Sequence, residues 1–155
     1  MMQRICDLYL SELVGPDLLK DVRFVDSAFI LGEKAVSGYL GLNAPRLKLI
    51  PLVVSLRKKR VSCYSVPIEY RDCASITEQY ALSIAQHSVE RQNCVKVGTN
   101  PLGAGAPPNV WSFSVAGFED AGRVAGRMIM IDRVDGHVWG YEEYEEYMYD
   151  YNNLY

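Results

Sequence analysis

The sequence predicts an α+β fold, an antiparallel sheet of about five strands with helices packed on one face. Three observations predict it. Apolar residues recur at helical spacing in two stretches, Gln3 to Val14 and Ile76 to Val89. Runs rich in β-branched and aromatic residues lie at Leu47–Leu56, Val61–Tyr70, Val110–Val115 and Arg127–Asp132. An Asp135-Gly136 pair separates the last of these runs from His137-Val138-Trp139, as in a tight hairpin.

From the N-terminus, Ile5, Leu8, Tyr9 and Leu13, with Cys6 and Leu10, suit a helix that Gly15-Pro16 ends. Pro16-Asp17 then suits the first turn of a second short helix. Phe24 to Leu40 reads either way: Phe24, Val25, Ala28, Phe29 and Leu31 suit a helix, and Phe29-Ile30-Leu31 before Gly32 suits a strand. Leu47–Leu56 and Val61–Tyr70 are expected as two strands joined by the polar turn Arg57-Lys58-Lys59-Arg60. Pro51 and Pro67 would place them at an edge or beside a bulge. Six basic residues and no acid fall between Arg46 and Arg60, which fits a solvated hairpin tip or an anion-facing or partner-facing patch.

The second half is more explicit. Ser75-x-x-Glu78 has capping-box spacing and opens a helix with Ile76, Tyr80, Ala81, Ile84, Ala85 and Val89 on one face. Gly98 to Asn109 is rich in Gly and Pro and is expected as a loop. In Val110–Val115 alternation favours Trp111, Phe113 and Val115 as the core face. A linker from Gly117 to Gly126 precedes the strand Arg127–Asp132 and the hairpin. The expected core includes Ile76, Tyr80, Ile84, Trp111, Phe113, Ile129 and Ile131. From Tyr141 to Tyr155 there are six tyrosines, five acids and no Lys or Arg. On a helix, Tyr141, Tyr144, Met148, Tyr151 and Tyr155 form one stripe that could dock on the sheet, with the glutamates mostly off it.

Composition narrows the function. The 155 residues suit one domain, 1–155, and the net charge of −3 gives no support to nucleic-acid binding. No run is long and apolar enough for a membrane span, and Met1 to Leu13 lacks a signal peptide's apolar stretch, so the expected location is cytoplasmic. Cys6, Cys63, Cys73 and Cys94 have no zinc or redox spacing and suit reduced, mostly buried thiols. No catalytic residue, metal site or cofactor is expected. His87 suits an exposed helix position, and His137 suits packing beside Trp139 on the same strand face. A Cys94–His87 pair would have to form from different elements. Gly98 to Gly105 lacks the Lys-Ser/Thr ending of a phosphate-binding loop.

Four features in order carry a family resemblance: the helix opened by Ile76-Thr77-Glu78, the strand Trp111-Ser112-Phe113, the hairpin Met128 to Val138, and the acidic-aromatic helix Tyr144 to Tyr151. In them the second half, residues 75–155, resembles the YrhB-like family, grouped with immunity proteins of bacterial polymorphic-toxin systems. The hairpin is shared in outline by PepSY-type domains, and the tail favours the YrhB-like group. Residues 1–74 carry no resemblance. The resemblance implies a small cytosolic α+β protein that binds and neutralises a cognate toxin, or acts in a chaperone-like way. Tyrosines among acids suit contact with a basic protein surface. The expected partner-binding residues are Tyr141, Glu142, Glu143, Tyr144, Glu145, Glu146, Tyr147 and Asp150. No nucleic-acid or membrane partner is expected. The charges also allow a homodimer, basic hairpin against acidic tail. A chaperone-like or structural interaction module is the alternative, and an enzyme would need a polar cluster converging in a pocket.

Overall fold

The first strand, β1 (Ile5–Val14), organises the N-terminal half of the fold. The computed structural model describes residues 4–91, 96–99, 107–116 and 128–153, and the side chains of all these except 89–91, 96–99 and 114–116. The Gly117–Gly126 linker, Arg127, Cys94, Tyr155 and most of the Gly98–Asn109 loop lie outside the described residues, as do the side chains of Val89 and Val115. The class is α+β, and its strands form two antiparallel four-stranded sheets where one sheet of about five was expected. The chain divides into two units, Met1–Asp72 with Tyr147–Tyr155, and Cys73–Glu146.

In the first unit β1 replaces the helix expected over Gln3–Val14. Its residues Cys6, Leu8 and Leu10 alternate into the core and are all but inaccessible. β1 pairs along one side with β4 (Cys63–Pro67), from Cys6↔Pro67 to Leu10↔Cys63. Its other side is shared by β2 (Val36–Tyr39) and the short β3 (Ala44–Pro45). Between β1 and β2 two short 3-10 helices, Pro16–Leu18 and Lys20–Phe24, stand where a helix beginning at Pro16 was expected. Phe24–Leu40, which read either way, supplies β2.

The strand expected at Leu47–Leu56 is instead helix α1 (Arg46–Lys58). Leu49, Leu52, Val53 and Leu56 are buried at i, i+3, i+4 and i+7, a helical stripe packed into the same core as β1. Pro51 sits on the exposed side of α1, where the lost backbone bond is open to water. Arg57–Arg60 is therefore the last turn and cap of α1, not a hairpin tip. Val61 N–H donates to Leu56 C=O at 3.0 Å and Arg60 N–H to Arg57 C=O at 2.9 Å. Arg60 takes φ 65° between them. This is a Schellman cap with arginine in the position glycine usually holds. The strand expected over Val61–Tyr70 is shorter: β4, then the single turn α2 (Glu69–Asp72).

The second unit orders its strands β5 (Lys96–Thr99), β6 (Val110–Ala116), β7 (Met128–Asp132), β8 (Val138–Trp139), each antiparallel to the next. β5 takes in Gly98 and Thr99, the first two residues of the expected Gly98–Asn109 loop. Helix α3 (Glu78–Arg91) lays Ala81 and Ala85 on Phe113, Ile129 and Ile131, with Ile76, Ile84 and Trp111 partly buried around them. Tyr80 is exposed rather than core, because the buried stripe runs through the two alanines. The cap also differs from the capping box expected at Ser75. Tyr80 N–H donates to Thr77 Oγ1 at 3.1 Å, while the Ser75 hydroxyl donates to Ile76 C=O. Helix α4 (Tyr141–Asn152) follows, its residues up to Glu146 in the second unit and the rest in the first.

Candidate partner-binding face and its anchor

The hairpin that precedes α4 is set by Asp132. Its Oδ1 accepts Val134 N–H at 2.9 Å and Asp135 N–H at 3.2 Å, closing an Asx turn. Its Oδ2 accepts the Trp139 indole N–H at 2.9 Å. Gly136 N–H returns to Asp132 C=O at 3.0 Å, with Gly136 at φ +79°, the positive φ expected of the Asp-Gly pair. A Cβ on Gly136 would also stand 3.1 Å from the Ile84 methyl, so space and dihedral both select glycine.

His137 leaves this turn with both ring nitrogens facing carboxylates. Nδ1 lies 2.5 Å from Asp135 Oδ1 and Nε2 lies 2.7 Å from Glu143 Oε2, on the first turn of α4. Its ring stacks near Trp139 on the same face, as expected, with centroids 6.4 Å apart. Burial disfavours the charged ring. The hydrogen bonds to Glu143 and Asp135 and the charges of Glu143 and Asp132 outweigh it and raise the pKa. Asp135 is held below the usual carboxylate range, first by the His137 backbone N–H and then by its ring.

Asp132, Asp135 and His137 are the one trio of metal-type ligands among the described residues, their ligand atoms within 4.8 Å of one another. The 2.5 Å contact is a direct hydrogen bond, whereas two ligands of one ion stand roughly 3 Å apart. The second ring nitrogen is taken by Glu143. The trio is an ion-pair network.

The eight residues expected to meet a partner fall into three groups. Tyr141, Glu142, Glu145 and Glu146 are exposed, with Tyr141 hydrogen-bonded to Glu145 one turn on, which pushes its phenol pKa up. Glu143 and Tyr144 are half-buried, and Glu143 is bound to His137. Tyr147 and Asp150 belong to the first unit. Tyr147 is a correction. It is buried, its hydroxyl donates to Ser65 C=O at 2.7 Å, and burial raises its pKa well above the ordinary phenol value, so it faces no partner. Asn152 Oδ1 accepts Ser65 N–H at 2.7 Å. Two side chains of α4 thus satisfy the outer edge of β4 at Ser65. The Asp150 side chain is exposed, and its carbonyl accepts the Arg46 guanidinium, which also lies over Tyr151. The stripe buried on α4 is consequently Tyr144, Tyr147, Met148, Tyr151 and Asn152, rotated from the expected one, and Tyr141 is left outside it.

The basic stretch is partly used internally. Arg57 donates to Cys63 C=O and lies over Tyr64, while Lys48, Lys58, Lys59 and Arg60 are exposed. His87 is exposed on α3, as expected. Cys6 and Cys63 are buried thiols pushed up to about 11 by burial, and Cys73 is exposed. No described helix is long and apolar enough to cross a membrane. No protein-family model, curated protein or solved structure matches the chain.

Proposed function

We propose that this chain is an immunity-type protein that binds a toxic protein in the bacterial cytoplasm and neutralises it by contact, without bond-making chemistry of its own. The observation that carries this reading is the outer face of α4's first two turns. There Tyr141, Glu142, Glu145 and Glu146 are exposed, and no Lys or Arg falls between Tyr141 and Tyr155. Such a face suits a basic partner, because complementary charge speeds association and excludes like-charged competitors. The resemblance to the YrhB-like family supports it. Its order of helix, aromatic strand, hairpin and acidic helix is the order of α3, β6, β7–β8 and α4, with β5 added after α3.

The test is neutralisation of the protein encoded beside this chain. Co-expression should abolish that protein's toxicity and the two should co-purify. Reversing Glu142, Glu145 and Glu146 to lysine should weaken the complex about a hundred-fold or more, as lost charge pairs and new repulsion combine. Glu143 is left in place because it anchors the helix. An unchanged complex would refute the assignment of this face.

A chaperone-like reading is favoured by a different observation. Leu13, Phe24 and Ile30 of the first unit are 73%, 86% and 82% exposed, large apolar side chains of the kind that capture unfolded chains. Suppression of aggregation of unrelated proteins, lost on Phe24→Ser, would favour it.

A further inference from the structure

We propose that His137 is a proton-operated clasp: when charged, it fastens the first turn of α4 to the β7–β8 turn, and when neutral, it releases one of the two. The argument starts from hydrogen-bonding capacity. A neutral imidazole carries one N–H and one lone pair, so it can donate to only one of two flanking carboxylates. The other nitrogen would then point a lone pair at a carboxylate oxygen. Here Asp135 stands at Nδ1 and Glu143 at Nε2, both within hydrogen-bond distance. The geometry is satisfied at both ends only by the imidazolium, which donates from both nitrogens.

The groups facing the ring are Asp132 and Asp135 from the turn and Glu143 from α4, all acidic, with Trp139 stacked alongside from β8. All four surroundings favour or tolerate a cation. The clasp spans elements that differ in what holds them. The turn is fixed by Asp132, Gly136 and the Trp139 indole, whereas Glu143 sits on an accessible helical turn. Loss of the proton therefore frees the α4 end. It also returns the Glu143 charge to the face on which Glu142, Glu145 and Glu146 are exposed, so acidity tunes that face's charge as well as its anchoring.

The sign follows from linkage. The folded pKa is raised above the unfolded value of about 6.5. The clasp's contribution is therefore fully present below about pH 6.5 and is lost as pH rises through the folded pKa.

The experiment follows the His137 ring protons by NMR across pH in the full chain, in water and in urea, for the native protein and for Glu143→Gln and Asp135→Asn. Native His137 should titrate above its own value in urea, and each variant should bring it down. Melting temperature should fall by about 2 °C as pH passes through that titration, and the fall should shrink in Glu143→Gln, where Asp135 alone still holds the ring. A His137 that titrates at or below its urea value, or that ignores Glu143→Gln, would overturn the clasp. If a variant fails to fold, the comparison of native protein in water and urea still decides. The idea stands on the hairpin geometry alone and needs no partner, so its failure leaves the binding proposal intact, and the reverse holds too.

Discussion

Asp7 is fully buried in β1, where an ionised carboxylate survives only with a complete set of donors. It has them. Leu8 N–H at 2.7 Å, Gly41 N–H at 2.9 Å, Leu42 N–H at 2.8 Å and the Arg71 guanidinium at 3.1 Å all point at its two oxygens. Arg71 goes on to Leu42 C=O and Asn43 Oδ1, so one carboxylate and one guanidinium hold the 40–43 loop between them. Asp7→Ala would leave three buried or half-buried N–H groups and a cation without their acceptor. A loss of about 3 kcal/mol is expected in urea denaturation, because removing one member of such a set costs far more than the set contributes. Nothing local in the sequence signals this arrangement, since three of its four donors lie 34 to 64 residues away and no local pattern separates a buried aspartate from a surface one. His137 was better placed for prediction: its packing beside Trp139 followed from strand alternation, but its bond to Glu143 depends on where α4 starts.

Two elements, β1 and α1, differ in type from what the local sequence pattern suggests. Ile5, Leu8, Tyr9 and Leu13 fit a helical period, yet Cys6, Leu8 and Leu10 fit an alternating one equally well. What decides is pairing with β4 and β2, whose partner residues lie 22 to 61 positions along the chain. In α1 the β-branched residues argue for a strand that Pro51 would interrupt, and the buried quartet Leu49, Leu52, Val53 and Leu56 argues for the helix that forms. The second half was legible because its signals are local: alanines on one face of α3, an Asp-Gly turn, and tyrosines with acids in α4. Element ends carry a prediction as well. Arg60 caps α1 in the left-handed region, a strain that glycine does not feel. Arg60→Gly should raise stability by about 0.5–1 kcal/mol, read as a higher melting temperature. Asn153, at φ 54°, ends α4 in the same way with a residue better suited to it.

At the scale of the whole molecule, the second unit begins at Cys73 and the family resemblance at residue 75. The charge is uneven along the sequence. Arg46 to Arg60 holds bases alone and Tyr141 to Tyr155 acids alone, although the net is only −3. Structure divides the tail further than sequence could. Tyr147 and Asn152 are consumed in finishing the β4 edge, Glu143 in the His137 network, and an acidic remainder on the first two turns stays outside. Which tyrosines point in depended on the rotation of α4, and the sequence stripe alone misjudged it by placing Tyr141 on the docked side.

The most direct measurement is the rate at which this chain associates with the proposed toxic partner as ionic strength is raised. A complex steered by Glu142, Glu145 and Glu146 should associate at least about ten-fold more slowly at high salt than at low salt, and the triple lysine variant should lose that dependence. A rate indifferent to salt in the native protein, with an equal rate for the variant, would contradict the account.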